Sequence, residues 1–146
     1  MKKTACLFLV LLITAALAAC GGNAATGNTG SVEKCDLDIS KMNTTMAYSQ
    51  ISNIMENPGE YLGKTIKMKG TFQMYKGVEQ TYYICEISDS TACCSAGMEF
   101  VLENEPPAYP GLGTEITVTG EFETYLEKDE QGVERKYCHL VDAKLG

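Results

Sequence analysis

From Thr65 to Tyr75 the side chains alternate, with Ile66, Met68, Gly70, Phe72 and Met74 on one side and Lys67, Lys69, Thr71 and Gln73 on the other. A period of two with one apolar face predicts a half-buried strand. The alternation returns in Met98, Phe100 and Leu102, and again in Ile116, Val118, Gly120 and Phe122. Two further runs, Thr81 to Ser88 and Arg135 to Ala143, predict strands that follow turns at Gly77 and at residues 129–132. Ahead of them, Met46, Tyr48, Ile51, Ile54 and Met55 fall at spacings near three and four. That pattern predicts a helix with an apolar stripe, stopped by Asn57-Pro58-Gly59. Residues 35–45 carry neither period and predict no element.

One internal echo gives the strands an architecture. The run from Gly63 through Ile66, Met68 and Gly70 to Phe72 and the run from Gly113 through Ile116, Val118 and Gly120 to Phe122 share the pattern G-x-x-I-x-[MV]-x-G-x-F. Each strand begins at a glycine turn and carries an interior glycine, the device that relieves crowding where a small sheet coils tightly. Five strands built this way predict a mainly β, OB-like, partly open barrel with one N-terminal helix. The Pro-rich segment Pro106-Pro107-Ala108-Tyr109-Pro110-Gly111 stands where such a barrel usually has a helix between its third and fourth strands. The helix ahead of the first strand is then expected to plug the barrel in its place.

The N-terminus reads as an address. Lys2 and Lys3 precede an apolar run from Leu7 to Ile13, followed by small residues up to Cys20. This is the order of an export signal, and the apolar run is too short for a bilayer span. Leu17-Ala18-Ala19-Cys20 resembles the bacterial lipobox, in which the cysteine is acylated and becomes the first mature residue. The expected organisation is a signal peptide over 1–19, a flexible tether over 20–40 rich in Gly, Ala, Asn and Thr, and the barrel domain over 41–146. Two or more acyl chains on Cys20 would anchor the chain stably on the extracytoplasmic face of the cell membrane.

The barrel region, roughly Lys41 to Lys144, resembles small lipoproteins of Gram-positive, largely anaerobic Firmicutes. The resemblance rests on Asn57-Pro58-x-x-Tyr61-x-Gly63-Lys64-Thr65, on Thr91-Ala92-Cys93-Cys94-x-x-Gly97-x-Glu99-Phe100-Val101-Leu102, and on Tyr137-Cys138-x-Leu140-x-x-Ala143. It implies location and an OB-like fold, and brings no activity with it.

Composition narrows the partners. The chain has 146 residues, room for about one domain, and a formal charge of -7. The acidic balance argues against nucleic acid, whose phosphates call for clustered cations. Membrane lipid through acylated Cys20, and an unidentified small ligand or surface protein, are the partners expected.

Candidate chemistry lies with cysteine and tyrosine. Beyond Cys6 and Cys20 there remain Cys35, Cys85, Cys93, Cys94 and Cys138. Buried thiols, disulfides, a thiolate metal site and a redox thiol are all open readings. The metal reading would gather Cys85, Cys93, Cys94 and Cys138 around zinc, with Cys35 able to replace Cys93. Neither C-x-x-C nor H-x-x-x-H spacing is present, which weakens both the metal and the redox readings. Neighbours in an extended strand face opposite ways, so Cys93 and Cys94 can share a ligand only across a turn. His139 is the sole histidine, lacks the spacing of a triad and is expected on a strand surface. On the face opposite Cys85, Tyr82 and Ile84 are expected beside Tyr75 and Val101, forming either a surface covered by the N-terminal helix or an exposed patch where OB-type barrels bind ligands. The expected function is a membrane-anchored, non-enzymatic binding or accessory module without a cofactor. A zinc-type thiolate protein is the alternative, and a thiol redox protein a weaker one.

Overall fold

A computed structural model describes residues 35–77, 80–129 and 131–146. Residues 1–34, with the expected signal sequence, Cys20 and most of the tether, lie outside the described residues. The elements are β1 (Leu37–Asp38), α1 (Thr44–Glu56), a 3-10 turn (Pro58–Glu60), β2 (Thr65–Lys76), β3 (Thr81–Ser88), β4 (Ser95–Leu102), β5 (Glu115–Lys128) and β6 (Glu134–Leu145). No helix among the described residues is long and apolar enough to cross a membrane.

The strands run in the order β1-β2-β3-β4-β6-β5, and an additional β2–β5 pairing closes the sheet. The β1–β2 and β4–β6 pairs are parallel and the others antiparallel. The five long strands therefore form a closed Greek-key arrangement, the OB-type barrel expected from the pattern. The two-residue β1 is added along β2.

β2 belongs to two partners. Its first half, Thr65–Thr71, pairs with β5, and its second half, Thr71–Lys76, pairs with β3. Gly70 sits at this handover, where a Cβ would overlap the backbone carbonyl of Glu86 and touch Cys85 Sγ at 3.0 Å. Gly120 holds the matching place in β5, at the register shift between Thr119 and Glu121. A Cβ there would meet the Val141 carbonyl oxygen at 2.8 Å. Both glycines thus permit backbone approaches that no other residue allows.

The echoed sequences face each other. In the antiparallel β2–β5 ladder Ile66 stands opposite Gly120, Gly70 opposite Ile116, and Met68 opposite Val118. The hydrogen bonds at the two ends match as well. Gly63 N–H donates to the Phe122 carbonyl at 2.9 Å, and Gly113 N–H to the Phe72 carbonyl at 2.8 Å. Gly63 and Gly113 both adopt positive φ, 72° and 78°, which an L side chain disfavours. Repetition in the sequence is therefore local two-fold symmetry in the barrel, and its apolar members are all buried.

Helix α1 starts where the Asn43 side chain accepts the Met46 N–H at 3.0 Å. It buries Ala47, Ile51 and Ile54 in one core with Ile66, Met68, Phe72, Met98, Phe100, Phe122 and Leu140. Each fully buried isoleucine contributes about 1.5–3 kcal/mol by leaving water. The expected stripe holds at Ile51 and Ile54 but not at its edges. Met46 and Met55 are 56% and 49% exposed, and Ala47 takes the inward place. The folded unit also begins before residue 41, because Leu37 pairs with Ile66 and Ile39 is only 1% exposed. Three residues are too few to show a period, so composition alone assigned them to the tether. The Pro-rich connection carries no helix and lays Tyr109 on Tyr83, ring centroids 3.9 Å apart, over the aromatic end of the core.

Gly70→Ala should lower stability by about 1–3 kcal/mol, the scale of overpacking. Gly59→Ala, whose Cβ meets nothing within 4 Å, should change it by less than about 0.5 kcal/mol. Urea midpoints of the two variants against the parent chain check this.

Candidate functional site: a tyrosine-lined groove and a dithiol loop

β5 and β6 run past the barrel as a hairpin, paired from Thr124 opposite Cys138 to Lys128 opposite Glu134. Together with the β2–β3 hairpin and the outward faces of β3 and β4, it encloses an open groove of about 1020 Å³. Tyr75, Tyr82 and Ile84 line it, as expected, along with Glu99, Tyr125 and Tyr137. Val101, 47% exposed on β4, lies outside the groove. Alternation explains the set: on β3, Tyr82 and Ile84 face the groove while Tyr83, Cys85 and Ile87 pack toward the core. Tyr75 and Tyr82 are direct cross-strand partners, and so are Tyr125 and Tyr137, whose rings stack 5.6 Å apart.

Two carboxylates organise the tyrosines. The Tyr125 hydroxyl donates to Glu99 Oε2 at 2.5 Å, and the Tyr82 hydroxyl donates to a Glu127 carboxylate oxygen. Burial lifts the Glu99 carboxyl above the usual range despite the Tyr125 bond and the nearby His139, which pull it down. Burial and the Glu99 bond together hold the Tyr125 phenol protonated well past its ordinary range. His139 is not an open surface residue. Its ring lies 4.6 Å from that of Tyr125 and its side chain is 15% exposed. The β5 members of this face were legible as a second alternation, Glu121, Glu123, Tyr125 and Glu127, but their meeting with β3 and β4 depends on the curl of the hairpin.

The thiols do not converge as four. All five described cysteines are free. Cys85 is wholly buried on the inward face of β3, and burial alone pushes its thiol up to about 12. Cys138 is half-buried on β6 beside the groove, with its thiol raised by burial, and Cys35 Sγ donates to the Leu37 carbonyl at 3.0 Å. Cys93 and Cys94 do meet, across a turn, with sulfurs 3.7 Å apart. Their third companion is Asp89, and among the described residues these three form the one group of clustered metal-type donors. The expected set of Cys85, Cys93, Cys94 and Cys138 is corrected accordingly: the core holds Cys85 away from the solvent-exposed loop, and Cys138 belongs to the groove.

No protein-family model matches the sequence, and no curated protein matches it. Among solved structures, the chain is similar to a mitochondrial single-stranded DNA-binding protein from S. cerevisiae. The match has 15% identity and a TM-score of 0.37, and covers 57% of this chain and 94% of that one. The expectation that excludes nucleic acid is withdrawn, because the net charge it rests on is too coarse a measure of a binding face. Net charge sums over the whole surface, whereas a binding face acts through local rings and charges, and Lys128 and Lys136 line this groove.

Because Cys85 titrates near 9 when unfolded and near 12 when folded, the unfolded chain releases this proton first as pH rises. Stability should therefore fall from about pH 9 to about pH 12, by about 1.4 kcal/mol per unit from this group. Urea unfolding across that range should show the decline, and Cys85→Ala should flatten it.

Proposed function

We propose that the protein is an extracytoplasmic lipoprotein, anchored through acylated Cys20, whose barrel is a binding module for a polyhydroxylated ligand such as a glycan segment. The observation that carries this reading is the position of the groove. It lies on the second and third strands of the barrel, β3 and β4, flanked by the β2–β3 and β5–β6 hairpins. That is the face on which OB-type barrels take oligonucleotides and oligosaccharides. Its chemistry favours the second class. Tyrosine rings offer flat surfaces to the apolar C–H faces of sugar rings, and Glu99 and Glu127 are strong acceptors for ligand hydroxyls. In the free protein those acceptors are filled by Tyr125 and Tyr82. A ligand hydroxyl can replace each phenol without leaving a buried carboxylate unpaired.

A tether of Gly, Ala, Asn and Thr between Cys20 and the barrel would give the groove reach from the membrane toward wall polymers. The acidic chain would be repelled by anionic headgroups, which keeps the domain off the bilayer.

Calorimetry of the mature chain with chitotetraose should show binding that weakens about tenfold or more in Tyr82→Ala and in Tyr125→Ala, the scale of losing one well-packed aromatic contact. Oligothymidylate binding at the same tyrosines, with no response to the sugar, would overturn the choice of ligand class. In cells, Cys20→Ser should release the protein from the membrane fraction into the medium, and labelled palmitate should fail to incorporate. Full retention of the unacylated variant on the membrane would refute the anchor.

A further inference from the structure

Between β3 and β4 the chain reverses over Asp89–Cys94 in a tight loop. Asp89 N–H donates to the Cys94 carbonyl at 2.8 Å, and Ala92 N–H to the Asp89 carbonyl at 3.1 Å. Ala92 adopts φ of 55°, a left-handed conformation uncommon for a residue with a side chain. The consequence falls on the next two residues. In an extended strand Cys93 and Cys94 would point to opposite faces, but here their sulfurs stand 3.7 Å apart on one side.

The carboxylate beside them is aimed. Asp89 Oδ1 accepts the N–H groups of Thr91 and Cys93, each at 3.1 Å. This leaves Oδ2 3.5 Å from Cys93 Sγ. The Thr91 hydroxyl donates to the same carboxylate at 2.9 Å and lies 3.0 Å from Cys93 Sγ.

These separations have a specific meaning. For tetrahedral zinc with bonds of about 2.3 Å to sulfur and about 2.1 Å to oxygen, the sulfur–sulfur edge is about 3.8 Å and the sulfur–oxygen edge about 3.6 Å. The loop shows 3.7 and 3.5 Å. All three donor atoms lie within 4.8 Å of one another. We propose that the Asp89–Cys94 loop is a binding site for a thiophilic divalent cation of the zinc type, held by Asp89 Oδ2, Cys93 Sγ and Cys94 Sγ, with the fourth position open to water.

Two features define what such a site does. Both cysteines are exposed, so the ion exchanges with solvent, unlike the ion of a closed structural site. Binding also converts two thiols to thiolates and releases two protons, so affinity rises with pH. The site shares no residue with the groove, whose lining on β3 and β4 is Tyr82, Ile84, Gly97 and Glu99.

Titration of the reduced mature chain with Co²⁺, an optical stand-in for zinc, tests the assignment. One equivalent should produce a sulfur-to-cobalt charge-transfer band, and one equivalent of Zn²⁺ should abolish it. Cys93→Ser and Cys94→Ser should each remove the band, and Asp89→Asn should weaken binding about tenfold or more. Cys138→Ser should leave it unchanged, and circular dichroism should show every variant folded. A band that survives Cys94→Ser, a band lost in Cys138→Ser, or no band at one equivalent would overturn the proposal.

Discussion

The barrel closes because β2 gives one half of its length to β5 and the other to β3, and the backbones converge where it changes partner. At that handover there is no volume for a side-chain carbon at Gly70, and the matching place in β5 at Gly120 is also too close for one, at 2.8 Å from the Val141 carbonyl oxygen. The cost of glycine in a strand is about 0.5–1 kcal/mol in backbone entropy relative to alanine. It is offset by the burial of Ile66, Met68, Phe72, Ile116, Val118 and Phe122 along the ladder the two glycines permit. The two echoed segments solve one steric problem twice, facing each other across an approximate two-fold axis through Met68 and Val118.

Closure sets where chemistry can happen. With β2 and β5 zipped together at their first halves, their second halves carry the hairpins that flank the outer faces of β3 and β4. Tyrosines from both hairpins meet the carboxylates of β4 and β5 there, and the hydroxyl bonds of Tyr125 to Glu99 and Tyr82 to Glu127 span from one strand to another. β3 then divides three environments by alternation and by its ends. Its outward residues build the groove, its inward residues Tyr83, Cys85 and Ile87 join the core, and its last residue leads into the loop that brings Asp89, Cys93 and Cys94 together.

Much of the fold was legible because alternation and helical spacing are properties of contiguous residues. The five long strands and the helix follow from periods of two and of three to four. Failures came where the segment was short or the deciding partner distant. Leu37 to Ile39 is too brief to show a period, yet its backbone adds a strand to β2 and Ile39 enters the core. Met46 and Met55 fit the apolar stripe by type, but the barrel meets the helix along Ala47, Ile51 and Ile54.

For the sites, the division is sharper. Sequence alone pointed to cysteines and tyrosines as candidates and, on β3, fixed which face each occupies, because strand geometry sets that face before any contact forms. It could not establish who meets whom. Four thiols that composition groups together are distributed by the fold among core, groove and loop, and a carboxylate not counted with them becomes the neighbour of Cys93 and Cys94. Val101 shares the outward face of β4 with Glu99 but falls beyond the reach of the hairpin that makes the groove. Alternation is a local constraint that the chain carries with it. Convergence across strands far apart in sequence arises only when the sheet coils and closes, and that belongs to the tertiary structure.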